Sequence, residues 1–197
     1  MKIEPVTLSG RAVRLEPLAL GHVDGLSRGG LDPELWTWVP RAVTTPEEMA
    51  GYVRSALADQ EKGVALPFAI VDQKGGGPIG STRYGNIEPA HRRLEIGWTW
   101  VATAFQRTAA NTEAKLLLLA HAFDTLGAIR VELKTDALNQ RSRAAIRRIG
   151  GVEEGTFRRH LITASGRVRD TVYFSILDHE WPAVKVHLEE RLRAFPS

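Results

Sequence analysis

The residues best equipped for chemistry stand together in one short stretch, Gln106-Arg107-Thr108-Ala109-Ala110-Asn111, between an alternating segment and a helical one. The first N–H groups of a helix have no partner inside it, and the helix dipole places partial positive charge there. Small side chains let those N–H groups come close to an anion, while Gln106, Arg107, Thr108 and Asn111 add donors just before the helix that opens near Thr112. The chemistry predicted from this pattern is the binding of a phosphate or pyrophosphate. Few other chemistries are on offer. The chain has no cysteine, its six histidines form no His-x-x-x-His pair, no Gly-x-Ser-x-Gly elbow occurs, and no Gly-x-Gly-x-x-Gly follows a strand. Metal, serine-hydrolase and nicotinamide chemistries fall away on those grounds.

The elements that must position this stretch follow from periodicity. Leu94 to Val101 alternates as a strand, with Leu94, Ile96, Trp98 and Trp100 on one face and Glu95, Gly97, Thr99 and Val101 on the other. Thr112 to Leu126 carries Leu116, Leu119, Ala120 and Phe123 at helical spacing, and Gly127 is placed to end that helix. Upstream, Val13, Leu15 and Pro17 mark a short strand, and a first helix over His22 to Ser27 is expected to break at Gly29, Gly30 and Pro33. Thr44-Thr45-Pro46-Glu47-Glu48 opens a helix running to about Lys62. Phe68, Ile70 and Asp72 begin a strand that turns at Gly75-Gly76-Gly77-Pro78 into Ile79 to Gly85. These glycines read as a hairpin turn, because neither a helix nor the Gly-Lys-Ser/Thr ending of a P-loop follows. Downstream come a strand at Ile129, Val131 and Leu133 and a helix over Asn139 to Ile149, closed by Gly150-Gly151. Strands Gly155 to Ile162 and Val168 to Leu177, joined at Ala164-Ser165-Gly166, precede a helix over Glu180 to Leu192. With no repeat or linker, one domain over 1–197 is expected.

This order of segments resembles the GNAT acetyltransferases, whose pyrophosphate loop reads Gln/Arg-x-x-Gly-x-Gly/Ala between the fourth strand and the third helix. Gln106 matches the first position, and Thr112-Glu113-Ala114 continues as in many members. Ala109 stands where glycine is usual, and Asn111 where glycine or alanine is usual. Ala109 carries a side chain where the backbone is expected to need unusual angles, and Asn111 tolerates left-handed geometry. Leu94-Glu95-Ile96-Gly97-Trp98, Asn139-x-x-Ser142, Val172-Tyr173-Phe174-Ser175-Ile176 with Glu180-Trp181, and Val13-Arg14-Leu15-Glu16-Pro17 look like the RimJ/RimL-like branch, so the resemblance covers nearly the whole chain.

The resemblance implies an α/β fold with a central mixed, mostly antiparallel sheet, flanked by helices and splayed between its fourth and fifth strands. It implies acetyl-CoA as co-substrate, no metal, and direct attack by a primary amine in a ternary complex. The acceptor is left open among a protein N-terminus, an aminoglycoside-like drug and a small polyamine. Residues Gln106, Arg107, Thr108, Ala109, Ala110, Asn111 and Thr112 would hold CoA, and a backbone N–H near Trp100 or Val101 would polarise the thioester carbonyl. Glu95 would take the amine's proton, or else be an ordinary strand carboxylate paired with Arg92 or Arg93. Ser142 would donate a hydrogen bond to the departing sulfur and Asn139 would contact pantetheine or substrate, unless both only cap their helix. Tyr173 is the fallback acid. Trp38 is expected in the acceptor wall and Trp98 in the core.

Composition adds bounds. A chain of 197 residues with 43% apolar residues can bury a core without a covalent staple, and the lack of cysteine suits a reducing compartment. The start, MKIEPVTLSG, has no apolar run behind a basic head, so no export signal or membrane partner is expected and the location expected is cytoplasmic. Net charge is only +3, yet 20 arginines face 6 lysines, with Arg141, Arg143, Arg147, Arg148, Arg158, Arg159, Arg167 and Arg169 close in sequence. That cluster is either a solvated surface or an attractor of polyanions. It motivates a rival: a non-catalytic CoA-sensing or ribosome/RNA-binding protein that keeps the fold. For the enzyme, no nucleic-acid partner is expected except through a ribosomal substrate, and a homodimer is left open.

Overall fold

An eight-stranded sheet organises the computed structural model, which describes residues 1–195; positions 196 and 197 of the expected domain lie outside the described residues. Its strands are β1 (Leu8–Ser9), β2 (Val13–Pro17), β3 (Leu66–Asp72), β4 (Pro78–Glu88), β5 (Arg93–Val101), β6 (Arg130–Asp136), β7 (Val152–Ile162) and β8 (Val168–Leu177). They lie in the order β1-β2-β3-β4-β5-β6-β8-β7, and only β5 and β6 run parallel. The helices are α1 (Val23–Gly30), α2 (Pro46–Glu61), α3 (Ala109–Ala120), α4 (Gln140–Arg148) and α5 (Trp181–Arg193). The fold is the expected mixed, mostly antiparallel α/β arrangement. The short β1 raises the strand count by one, so the parting lies between β5 and β6. Their ladder covers only Arg93–Glu95 against Arg130–Glu132, after which the two strands continue without a shared register.

Each face of the sheet carries its own core. One contains Leu118, Leu119 and Leu188 from α3 and α5, with Phe68, Tyr84, Leu94, Ile96, Val131 and Phe174 from the strands. The other joins Leu26, Met49 and Val53 of α1 and α2 to Trp36 and Trp100. Local chemistry sets the ends of these elements. The Thr45 hydroxyl accepts from the Glu48 N–H at 3.2 Å while the Glu48 carboxylate accepts from the Thr44 and Thr45 N–H groups, a capping box with Pro46 in the first turn. The β3–β4 turn uses the Asp72 carboxylate, which accepts from the Gly75 N–H, and Gly76 at φ +68°. Among the described residues, no helix is long and apolar enough to cross a membrane.

Two boundaries differ from expectation for physical reasons. Helix α1 runs through Gly29 and Gly30 instead of breaking there. Added Cβ atoms would sit 2.6 Å from the Ala102 side chain and 2.5 Å from the Trp100 ring, so these glycines let the helix approach the end of β5 closely. Helix α3 begins at Ala109, before Thr112, because the Thr108 hydroxyl caps it by accepting from the Ala110 N–H at 3.2 Å. Beyond Ala120 the chain continues as one π-helical turn, His121–Thr125, and Gly127 at φ +65° ends it as expected. The buried Glu113 fixes α3 to the β1–β2 turn, since its carboxylate accepts from the N–H groups of Arg11, Ala12 and Val13 at 2.9, 2.7 and 2.7 Å.

Candidate active site

The even alternation expected over Leu94 to Val101 is interrupted. Arg83 of β4 stands opposite Gly97, yet Ser81 stands opposite Trp100, so β5 carries one extra residue, and Trp98 adopts φ +51°. A bulge of this kind flips every later side chain to the other face. Leu94 and Ile96 therefore share a core with Val101, while Trp100 packs on the opposite face against Trp36, with ring centroids 5.7 Å apart. Trp98 is not a core residue: it is 47% exposed.

The parting of β5 from β6 opens into a cleft of about 920 Å³. Trp38, Glu95, Trp100, Val101, Gln106, Arg107, Thr108, Asn111, Thr112, Asn139 and Ser142 all line it. Ala109 and Ala110 do not: Ala110 buries its methyl group, and its N–H is taken by the Thr108 cap. At the start of α3, the N–H groups of Arg107, Thr108 and Ala109 find no acceptor among the described residues. Open N–H groups at a helix start can serve as donors to an anion. The strained backbone position is Arg107, at φ +62°, whereas Ala109 and Asn111 lie in ordinary helix. Gln106 ties this loop to its neighbours: its Nε2 donates to the Val101 carbonyl at 3.0 Å and its Oε1 accepts from Arg141 of α4 at 3.1 Å.

Glu95 lies deeper in the cleft and is 6% exposed. Its Oε2 accepts from Asn86 Nδ2 at 2.6 Å and pairs with Lys134 Nζ at 2.7 Å, while Oε1 makes no hydrogen bond among the described residues. Neither Arg92 nor Arg93 is its partner. Arg92 donates to the Gly127 carbonyl, and Arg93 pairs with Glu88 and Glu132. Burial works against the Lys134 ammonium, but hydrogen bonding to and charge pairing with Glu95 outweigh it, and the Lys134 pKa rises above its ordinary value.

Asn139 caps α4, with its Oδ1 accepting from the Ser142 N–H at 3.0 Å, while the Ser142 hydroxyl makes no hydrogen bond among the described residues. Tyr173 lies outside the cleft, in a separate hollow of about 500 Å³, with Lys134 Nζ 4.8 Å from its ring centroid. The Trp38 carbonyl accepts from the buried Arg169 at 2.9 Å, and the Arg167 guanidinium lies 5.8 Å from the Trp38 ring. Much of the arginine cluster is already engaged. Arg143 and Arg147 pair with Glu153, and Arg167 and Arg169 pair with Asp136.

Sequence reasoning missed Asn86, Lys134, Arg83 and Lys115, all of which line the cleft. Lys115 is 7% exposed and donates to the Thr99 hydroxyl at 2.6 Å, and burial lowers its pKa to about 7. A polar stripe in α3 could have exposed it: Asn111, Thr112 and Lys115 recur at helical spacing within an apolar helix.

A mixed sheet parted at its one parallel pair, with an open helix start beside the parting, defines the acetyltransferase class that the sequence resembles. The family description "Acetyltransferase (GNAT) domain" matches residues 12–152, and the chain belongs to that family. A curated relative, "Putative ribosomal N-acetyltransferase YdaF" of Bacillus subtilis (strain 168), is 36% identical over 110 residues, which is 56% of this chain. That match spans 59% of the relative's own length. The crystal structure of a GCN5-related N-acetyltransferase from Brucella melitensis is 34% identical, with a TM-score of 0.90 over 98% of this chain and 87% of that one. Mycobacterium smegmatis RimJ in complex with CoA-disulfide is 26% identical, with a TM-score of 0.82 over 95% of each chain.

Proposed function

We propose that this protein transfers an acetyl group from acetyl-CoA to a primary amine, on a protein N-terminus or a small molecule, by direct attack in a ternary complex. The observation that carries this reading is the conjunction, within one cleft, of the parted β5–β6 pair, the open N–H groups at the start of α3 and a buried carboxylate with a free oxygen. The N–H groups of Arg107, Thr108 and Ala109 receive pyrophosphate oxygens, with Gln106, Asn111, Thr112 and Arg141 around them. Beyond Glu95, the edge of β5 that faces β6 has no strand partner among the described residues, so its backbone groups pair with the pantetheine arm. A backbone N–H near Trp100 or Val101 polarises the thioester carbonyl.

An amine nucleophile must lose its proton, and its ordinary pKa is about 8 for an α-amino group and about 10 for lysine. Glu95 takes that proton through Oε1, directly or through water, while Asn86 and Lys134 hold the carboxylate in place from Oε2. As the C–N bond forms and the C–S bond breaks, the Ser142 hydroxyl donates to the departing sulfur. Without cysteine the chain can form no thioester-linked intermediate. Trp38, fastened by Arg169, walls the acceptor side. Glu153, shared by Arg143 and Arg147, and Asp136, shared by Arg167 and Arg169, offset half of the charge of these four arginines, which weighs against the RNA-binding rival.

The test is thiol release from acetyl-CoA across a panel of amines, beside thermal unfolding with CoA. Glu95→Gln is expected to lower kcat by about 10²- to 10⁴-fold and to leave stabilisation by CoA intact. Unchanged turnover would remove Glu95 from the role of base.

A further inference from the structure

Arg83 is a buried cation whose donors are almost unused. It is 4% exposed, its guanidinium forms no hydrogen bond among the described residues, and its buried Nε has no partner. Its nearest carboxylate, Asp59, is 3.8 Å away, beyond hydrogen-bond reach, and is shared with Lys62 at 3.3 Å. The Tyr52 and Trp98 rings lie 5.2 and 5.1 Å from its guanidinium carbon. Aromatic stacking uses the faces of the guanidinium plane and leaves the five in-plane N–H donors open. Buried guanidinium donors are rarely left in that state, and a carboxylate is the partner that best matches their geometry.

The position of Arg83 indicates where such a carboxylate would come from. Arg83 is paired with Gly97 and Gly85 with Glu95, so Arg83 and Glu95 stand on one face of the sheet as diagonal neighbours, with backbones roughly 7–8 Å apart. Both line the cleft. Gly97 adds no side chain between them. A nitrogen delivered to Glu95 therefore brings its own near substituents toward Arg83.

Resting on the transferase reading, we infer that Arg83 is the anion-recognising residue of the acceptor site, and that the preferred acceptor is a primary amine carrying a carboxylate close to its reacting nitrogen. Tyr52 and Trp98 hold the guanidinium plane, and Arg83 binds the acceptor carboxylate while Glu95 receives the amine proton. The carboxylate belongs either to a free amino acid or to an acidic residue at a peptide N-terminus.

Matched acceptors test this. Glutamate and aspartate are compared with their fully amidated forms, and C-terminally amidated peptides beginning with Asp or Glu are compared with those beginning with Asn or Gln, by kcat/KM in thiol release. The anionic member is expected to lead by about ten- to a hundredfold, mainly through KM, in whichever source is the true one. Arg83→Gln should bring that ratio to about one, and Arg83→Lys should keep part of it. A binding arm does not depend on turnover: N-acetylglutamate and its fully amidated form, which carries no carboxylate, are titrated into the CoA-loaded protein, with tighter binding of the former lost in Arg83→Gln and partly kept in Arg83→Lys. Equal use or equal binding of charged and neutral partners by the wild type would overturn the role of Arg83. Failure of CoA itself to bind would instead strike the transferase reading, and titration of the acid and its amidated form into the protein alone would then decide the case of Arg83.

Discussion

Replacing Lys115 by Met tests the electrostatics of the cleft quantitatively. Lys115 is 7% exposed, its ammonium makes one hydrogen bond among the described residues, to the neutral Thr99 hydroxyl, and burial brings its pKa from 10.5 to about 7. At about 1.4 kcal/mol per pH unit, that gap sets a ceiling of about 5 kcal/mol on the cost of holding the ammonium in the folded chain below pH 7. The sign follows from proton counting. Between pH 7 and 10.5 the unfolded chain binds the lysine proton and the folded chain does not, so wild-type stability rises with pH across that window. Met keeps the length and apolar contacts of the side chain, removes the charge, and forfeits a hydrogen bond of about 1 kcal/mol. Lys115→Met should therefore be more stable than wild type by a few kcal/mol at pH 6, with the advantage gone by about pH 10.5. Urea unfolding of both proteins at pH 6, 8 and 10 measures this. A difference that stays constant with pH, or a Met variant that is weaker at pH 6, would refute the account.

Other substitutions probe how the site is held. Glu113→Ala strands the N–H groups of Arg11, Ala12 and Val13 and should lower unfolding free energy by about 3 kcal/mol or more in urea titrations; a loss below about 1 kcal/mol would mean that Glu113 is not the anchor. Asn139→Ala removes the α4 cap and should cost about 1 kcal/mol. A rise in KM for acetyl-CoA beyond that loss would show Asn139 contacting pantetheine as well, and an unchanged KM would confine it to capping.

Features set by neighbouring residues were legible in the sequence. Thr45 with Glu48, the glycine turn after Asp72 and Asn139 before Ser142 each act within a few positions, so their types announce their roles. The strand–helix junction around Gln106 was visible for the same reason. Features that arise from packing were hidden. The bulge at Trp98 leaves the alternation of residue types undisturbed, so Trp98 read as core although the extra residue turns it outward. Gly29 and Gly30 read as helix breakers because nothing local reveals that Trp100 and Ala102 press against them. Nearby residues offer Arg92 or Arg93 as the partner of Glu95, whereas its partner Lys134 lies 39 positions away across the parting, and only the fold joins the pair. Arg107, not Ala109 or Asn111, takes the left-handed conformation, a choice made by how the loop must enter α3.

The central claim is that the cleft between β5 and β6 binds CoA at the start of α3. Thermal unfolding of the wild-type protein across a CoA titration tests it most directly. A rise in stability that keeps growing with the logarithm of CoA concentration is predicted, about 2.7 kcal/mol when CoA stands at a hundred times its Kd. No change in the unfolding transition at millimolar CoA would contradict it.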